Sequence, residues 1–246
     1  MYTADNGYHT GAFGLVYDKR NPFETDTHLP LLMRGPGIAP GTVSAAPVAM
    51  TDLSATLLDM AGMARPPLFD GLSALPYARA APPAPRLATF IEYVGEGGGG
   101  GGPDPACAAT RRDDTLMCNT GGNYTLPPFY YGGDFCMCQD ARNNTYTCLR
   151  YVEGAHAAAE KAQMLSATGL PHAPAAAADW RYCEFSDARG TVEFFDLTKD
   201  PYELQNTAGS LAPALRAAMA ARLAALRACK GAAECAPLLS TPVAAA

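Results

Sequence analysis

Tyr2-Thr3-Ala4-Asp5-Asn6-Gly7-Tyr8-His9-Thr10-Gly11 opens the chain, and Asp18-Lys19-Arg20 follows shortly after it. Asp5 and Asn6 are two oxygen ligands placed ahead of a tight turn at Gly7, an arrangement able to hold a hard cation such as Ca²⁺ or Mg²⁺. His9 stands three residues past Asn6 and Lys19 thirteen past it. A cation, an imidazole and an ammonium converging on one point suit a tetrahedral oxyanion: metal and lysine neutralise oxygens, and histidine handles a leaving-group proton. The same residues taken alone also read as a common Asp-Asn-Gly turn, a structural histidine and a solvated charged run.

Outward from this segment, residues 29–33 (LPLLM) form a short apolar run closed by Gly35-Pro36-Gly37, the pattern of a buried strand. Thr51-Asp52 can cap a helix in which Leu53, Thr56, Leu57 and Met60 recur at helical spacing and which Gly62 stops. Three prolines within 80–86 mark a link between a first unit, 1–80, and a second, 81–246. In the second unit, residues 89–94, 148–152, 180–185 and 191–197 are strand candidates rich in aromatic and β-branched side chains. The six glycines 97–102 lack a following Lys-Ser/Thr or helix start, so they read as a loop and not as a phosphate cradle. Residues 154–178 are an alanine-rich insertion, and 211–229 a helix with Leu215, Met219, Leu223 and Leu226 as its buried stripe.

A chain of 246 residues with net charge −6 and only 17% charged side chains gives no electrostatic case for nucleic acid. No apolar run approaches the length that spans a bilayer, and the N-terminus shows no signal peptide. All eight cysteines lie between Cys107 and Cys235 without C-x₂-C knuckles, against zinc and for disulfides. Cys229 and Cys235 enclose a short loop and are the local pairing guess; Cys136 and Cys138 are too close to pair comfortably with each other. The acceptors Asn123-Tyr124-Thr125 and Asn143-Asn144-Thr145 add to an oxidising, secretory setting, whether lysosomal, periplasmic or extracellular. Exported features without an export signal suggest a chain incomplete at its N-terminus.

The opening segment, together with Asp18-Lys19-Arg20, residues 29–38 (LPLLMRGPGI), 52–62 (DLSATLLDMAG) and 70–76 (DGLSALP), resembles the C-terminal half of the sulfatase catalytic domain. Among sulfatases the likeness points to N-acetylglucosamine-6-sulfatases and the related glucosamine endosulfatases. Residues 143–148 (NNTYTC), 182–185 (YCEF) and 195–201 (FDLTKDP) resemble the C-terminal lobe of that family. The resemblance implies an α/β fold: the C-terminal part of an alkaline-phosphatase-like sulfatase domain with a truncated sheet, plus a small disulfide-rich α+β lobe. It implies that Asp5 and Asn6 are two of the ligands to Ca²⁺, that Lys19 contacts sulfate oxygens, and that His9 sits by the scissile ester of a sulfated glycan, binding substrate or assisting departure of the sugar oxygen.

The family's nucleophile is a formylglycine made from the cysteine of a C-x-P-x-R motif, expected in a missing N-terminal part. Here only Cys107-Ala108-Ala109-Thr110-Arg111 comes near the pattern, and it resembles a structural cysteine segment and reads as half of a disulfide. A chain with this pair of oxygen ligands alone is expected to bind Ca²⁺ weakly, to leave an apolar sheet edge uncovered, and to be inactive by itself. A non-catalytic secreted glycan-binding module is the alternative. A phosphoesterase of the alkaline-phosphatase type is disfavoured, since four scattered histidines do not make a dimetal cluster.

Overall fold

A computed structural model describes residues 1–11, 13, 15, 19–79, 84–94, 116–120, 136–141, 144–153 and 178–243, with the backbone alone for 116–120 and 136–141. Asn123, Asn143, Cys107, the glycine run and residues 154–177 lie outside the described residues.

Among the described residues of the first eighty are the helices α1 (Glu24–Thr27), α2 (Thr51–Met60) and α3 (Leu75–Ala78). The run 29–33, expected as a buried strand, makes a single antiparallel bridge, Tyr2 with Leu32, through two N–H···O bonds of 2.9 Å. A ladder needs a neighbour along its length, and among the described residues only Tyr2 reaches this run; Leu32 stays 64% exposed. Helix α2 ends as the sequence suggests. Gly62, at φ +68, donates to Asp59 O and Met63 donates to Leu58 O, the paired bonds that close a helix on a left-handed glycine.

Which way α2 faces is less expected: it buries Asp52, Ala55 and Thr56 and exposes Leu57 and Met60. Asp52 is held inside because its carboxylate meets Arg86 at 2.8 Å and accepts the Ala49 and Leu72 amides, while Thr56 Oγ1 accepts from Ala74 N. Buried charge is tolerated when it is paired and hydrogen-bonded in this way.

Beyond residue 87 the described residues form a four-stranded antiparallel sheet in the order β1-β4-β5-β6, from β1 (Ala88–Tyr93), β4 (Tyr146–Glu153), β5 (Ala178–Phe185) and β6 (Val192–Asp196). A separate hairpin joins β2 (Leu116–Thr120) to β3 (Cys136–Ala141). Helices α4 (Pro213–Ala228) and α5 (Gly231–Ser240) close the chain, tied back by the Leu87 amide to Leu239 O. All four expected strands and the terminal helix are present within two or three residues of their expected bounds.

Alternation along the strands sorts the sheet into two faces. Phe90, Leu149, Tyr151, Trp180, Tyr182 and Phe194 share one face and pack with Met219, Leu223, Leu226 and Leu239 of the terminal helices. Leu215 of the expected stripe packs at the margin of this core. The other face carries Tyr146, Cys148, Arg150, Arg181, Cys183 and Phe195. Cys148 and Cys183 stand opposite each other in the register and form a disulfide; Cys229 and Cys235 form another, as their spacing suggests.

Candidate functional site

The opening loop and α1 are laid against each other by backbone bonds. Gly7 N donates to Asp26 O at 2.8 Å and Tyr8 N to Thr25 O at 3.0 Å. The approach is close enough to require glycine, since a Cβ on Gly7 would stand 1.8 Å from Thr25 O. This contact carries His9 into the interior, where it is 1% exposed. Its Nε2 lies 2.8 Å from Thr25 Oγ1 and 2.9 Å from Asp26 Oδ1, while Nδ1 has no hydrogen-bond partner among the described residues. Phe23 walls the ring, with centroids 6.5 Å apart.

Asp26, 4% exposed, also accepts the Asn21 amide at 2.9 Å through Oδ2. One carboxylate therefore gathers both arms of the candidate site, the loop 5–9 and the segment 19–21. Lys19 lies on the exposed surface two residues before that anchor. Asp5 is exposed and accepts the Asn6 amide at 3.0 Å, and Asn6 Nδ2 donates to Gly7 O at 2.7 Å. With Nδ2 engaged, the Asn6 amide oxygen and the Asp5 carboxylate are the oxygen donors this loop offers a cation. The pair fits as two oxygen donors and no more: among the described residues no group of three His, Cys, Asp or Glu is placed to hold a metal.

Residues of the far half of the chain complete the surroundings. Asn144 Nδ2 and Tyr146 Oη donate to Arg20 O at 2.9 and 3.2 Å. Arg150 forks onto Glu24 with Nε–Oε1 at 2.7 Å and Nη2–Oε2 at 3.1 Å, and His28 Nδ1 reaches Glu24 Oε2 at 3.0 Å. Burial pushes the Glu24 carboxyl up, but the hydrogen bonds and charges of His28 and Arg150 outweigh it and hold it at about 2. The Glu24 bond raises the His28 imidazole above its ordinary value, against burial. Thr25, Asp26, Asn144, Tyr146 and Arg150 escape a motif-based reading. Their faint signal is alternation: Tyr146, Cys148 and Arg150 recur every second residue as one strand face, and a charge there needs a partner.

The family described as N-sulphoglucosamine sulphohydrolase, C-terminal, matches residues 11–95. N-acetylglucosamine-6-sulfatase of Homo sapiens is 37% identical over 234 residues, which is 94% of this chain and 35% of that protein, and the Bos taurus protein gives the same figures. An extracellular sulfatase SULF-1 homolog of Drosophila melanogaster is 49% identical over 76 residues, 31% of this chain and 7% of that protein. A solved structure of a protein in complex with its substrate D-glucosamine-2-N,6-O-disulfate superposes with a TM-score of 0.49 at 20% identity, over 83% of this chain and 28% of its own, too loosely to support an inference. The chain spans about a third of the length of the curated N-acetylglucosamine-6-sulfatases it matches. By sequence, then, the chain matches the C-terminal region of sulfatases along nearly its whole length.

Proposed function

We propose that this chain supplies part of a site for a sulfate ester on a sugar, of the N-acetylglucosamine 6-sulfate class, in a sulfuric ester hydrolase. The observation that carries the proposal is the convergence of the loop holding Asp5, Asn6 and His9 with the segment holding Lys19 on a single buried carboxylate, Asp26. Lys19, as an ammonium at the surface, neutralises sulfate oxygens. His9 is held through Nε2 beside Asp26 and Thr25, which leaves Nδ1 as the ring atom to handle a proton at the sugar oxygen. Asp5 and Asn6 would hold Ca²⁺, whose charge stabilises oxyanions, with its remaining coordination completed by other donors. No cysteine of the chain stands in a C-x-P-x-R motif, so no residue here fits the formylglycine role, and the chemistry assigned to the chain stops at binding and proton handling. That same fact favours a second reading, a glycan-binding unit without turnover.

A secretory route is supported by the disulfides Cys148–Cys183 and Cys229–Cys235 among the described residues and by the extracellular relative, with Asn123 and Asn143 as glycan acceptors. Among the described residues no helix is long and apolar enough to cross a membrane.

Titrating the 246-residue chain with glucosamine 6-sulfate, glucosamine and glucosamine 6-phosphate, with and without CaCl₂, tests the proposal. Selective shifts of His9 and Lys19 side-chain resonances with the sulfate ester support it. No response, or an equal response to unsulfated glucosamine, refutes it, and preference for the phosphate returns the phosphoesterase. Release of sulfate from the bound ester would remove the non-catalytic reading.

A further inference from the structure

The β4–β5 register sets Arg150 directly opposite Arg181, on the face turned away from the terminal helices. Like charges opposite each other destabilise a sheet, so the pair requires carboxylates. Glu24 and Asp179 serve Arg150, while Glu193 and Glu203 serve Arg181. Two of these links lead into the candidate site. The Glu24 carboxylate accepts from Nε and Nη2 of Arg150, and the backbone amide of the same Glu24, where α1 begins, donates to Glu203 Oε2 at 2.7 Å. Glu203 is buried in the left-handed region at φ +55, a conformation unfavourable to an L-residue and held here by Arg181 Nε on its other oxygen. The Arg181 guanidinium lies 5.2 Å over the Phe23 ring, the residue before α1. A little further along the same side, Asn144 and Tyr146 hold Arg20 O, the carbonyl next to Lys19.

We infer that this sheet face positions both arms of the site. Asn144 and Tyr146, acting through Arg20 O, set the Lys19 arm. Arg150, acting through Glu24 and α1, sets the His9 arm. None of the three is a catalytic residue; each acts through another. The inference rests on the proposed function only in treating Lys19 and His9 as site residues.

The test uses the 246-residue chain and amide exchange followed by NMR, together with glucosamine 6-sulfate titration. Its variants are the double substitution Asn144→Ser/Tyr146→Phe, and Arg150→Ala beside Arg150→Lys. Asn144→Ser leaves the Asn143-x-Thr145 acceptor intact. The double variant is expected to speed exchange of the Asn21 amide about tenfold, the factor that about 1.4 kcal/mol represents, with exchange between β5 and β6 unchanged. Arg150→Ala is expected to speed the Gly7 and Tyr8 amides about tenfold, and Arg150→Lys, which keeps one charged bond, to recover part of the protection. Affinity for glucosamine 6-sulfate falls about fivefold in the double variant. Unchanged Asn21, Gly7 and Tyr8 amides overturn the inference. So does acceleration of those amides only in step with the β5–β6 amides, because that is a general loss of stability. Where the unaltered chain binds the sugar, unchanged affinity in the double variant overturns it as well. Failure of the unaltered chain to bind the sugar overturns the proposed function instead, while the exchange pattern still decides the positioning.

Discussion

Replacing Glu24 by Gln removes a charge on which the joint between the site segment and the sheet depends. In the folded chain this carboxyl is held at about 2, against an ordinary 4.5, by His28 and Arg150 in spite of burial. Linkage converts that gap to roughly 3 kcal/mol at neutral pH. The sign follows from the lowered folded value: the contribution is full above the unfolded carboxyl's titration near 4.5 and is lost as pH falls toward about 2. At pH 3 roughly 1.4 kcal/mol remains, and near pH 2 almost none. The magnitude agrees with the 3–5 kcal/mol typical of breaking one side of a buried ion pair. Urea denaturation of both proteins at several pH values from 7 to 2 measures it. The stability difference is expected to shrink steadily with acid until the two curves meet. A parallel offset at every pH, or a cost below about 0.5 kcal/mol at pH 7, refutes the assignment of this charge to Arg150 and His28.

His28→Gln is expected to remove a loss of stability that the unaltered chain shows on the alkaline side of ordinary histidine titration. Its raised imidazole stabilises fully below about 6.5 and ceases to do so as pH passes the folded value; denaturation at pH 6 and 8.5 reads this. Gly7→Ala forces a methyl into Thr25 O and is expected to cost about 1–3 kcal/mol or more and to release the Tyr8 amide to exchange. Asp26→Asn leaves His9 Nε2 without its carboxylate; a cost of about 1–3 kcal/mol and a change in the His9 ¹⁵N tautomer signature are expected. Removing both Cys148 and Cys183, whose link closes a loop of 35 residues, is expected to lower stability by up to about 4 kcal/mol in thermal or urea unfolding.

Sequence alone determined the elements that depend on local pattern. The strands at 89–94, 148–152, 180–185 and 191–197, the terminal helix with its Met219, Leu223 and Leu226 stripe, the Gly62 stop and the Cys229–Cys235 loop all follow from periodicity, turn chemistry or short separation. The adjacency of Asp5, Asn6 and His9 was legible for the same reason, because those residues are neighbours in the chain.

Tertiary structure decided whatever depends on partners far apart in sequence. Residues 29–33 look like a buried strand, yet among the described residues they pair only through Leu32 with Tyr2. Helix α2 turns its polar Asp52 and Thr56 inward because Arg86 and the Leu72 and Ala74 amides wait there, and no periodicity of α2 records that. The environment of His9 depends on Asp26, seventeen residues on, and the seat of the Arg20 carbonyl, next to Lys19, on Asn144 and Tyr146, more than a hundred residues on. A hydrogen bond or ion pair needs two groups within about 3 Å, and sequence specifies the groups but not the distance between them. That distance is set by the packing of the sheet face against α1.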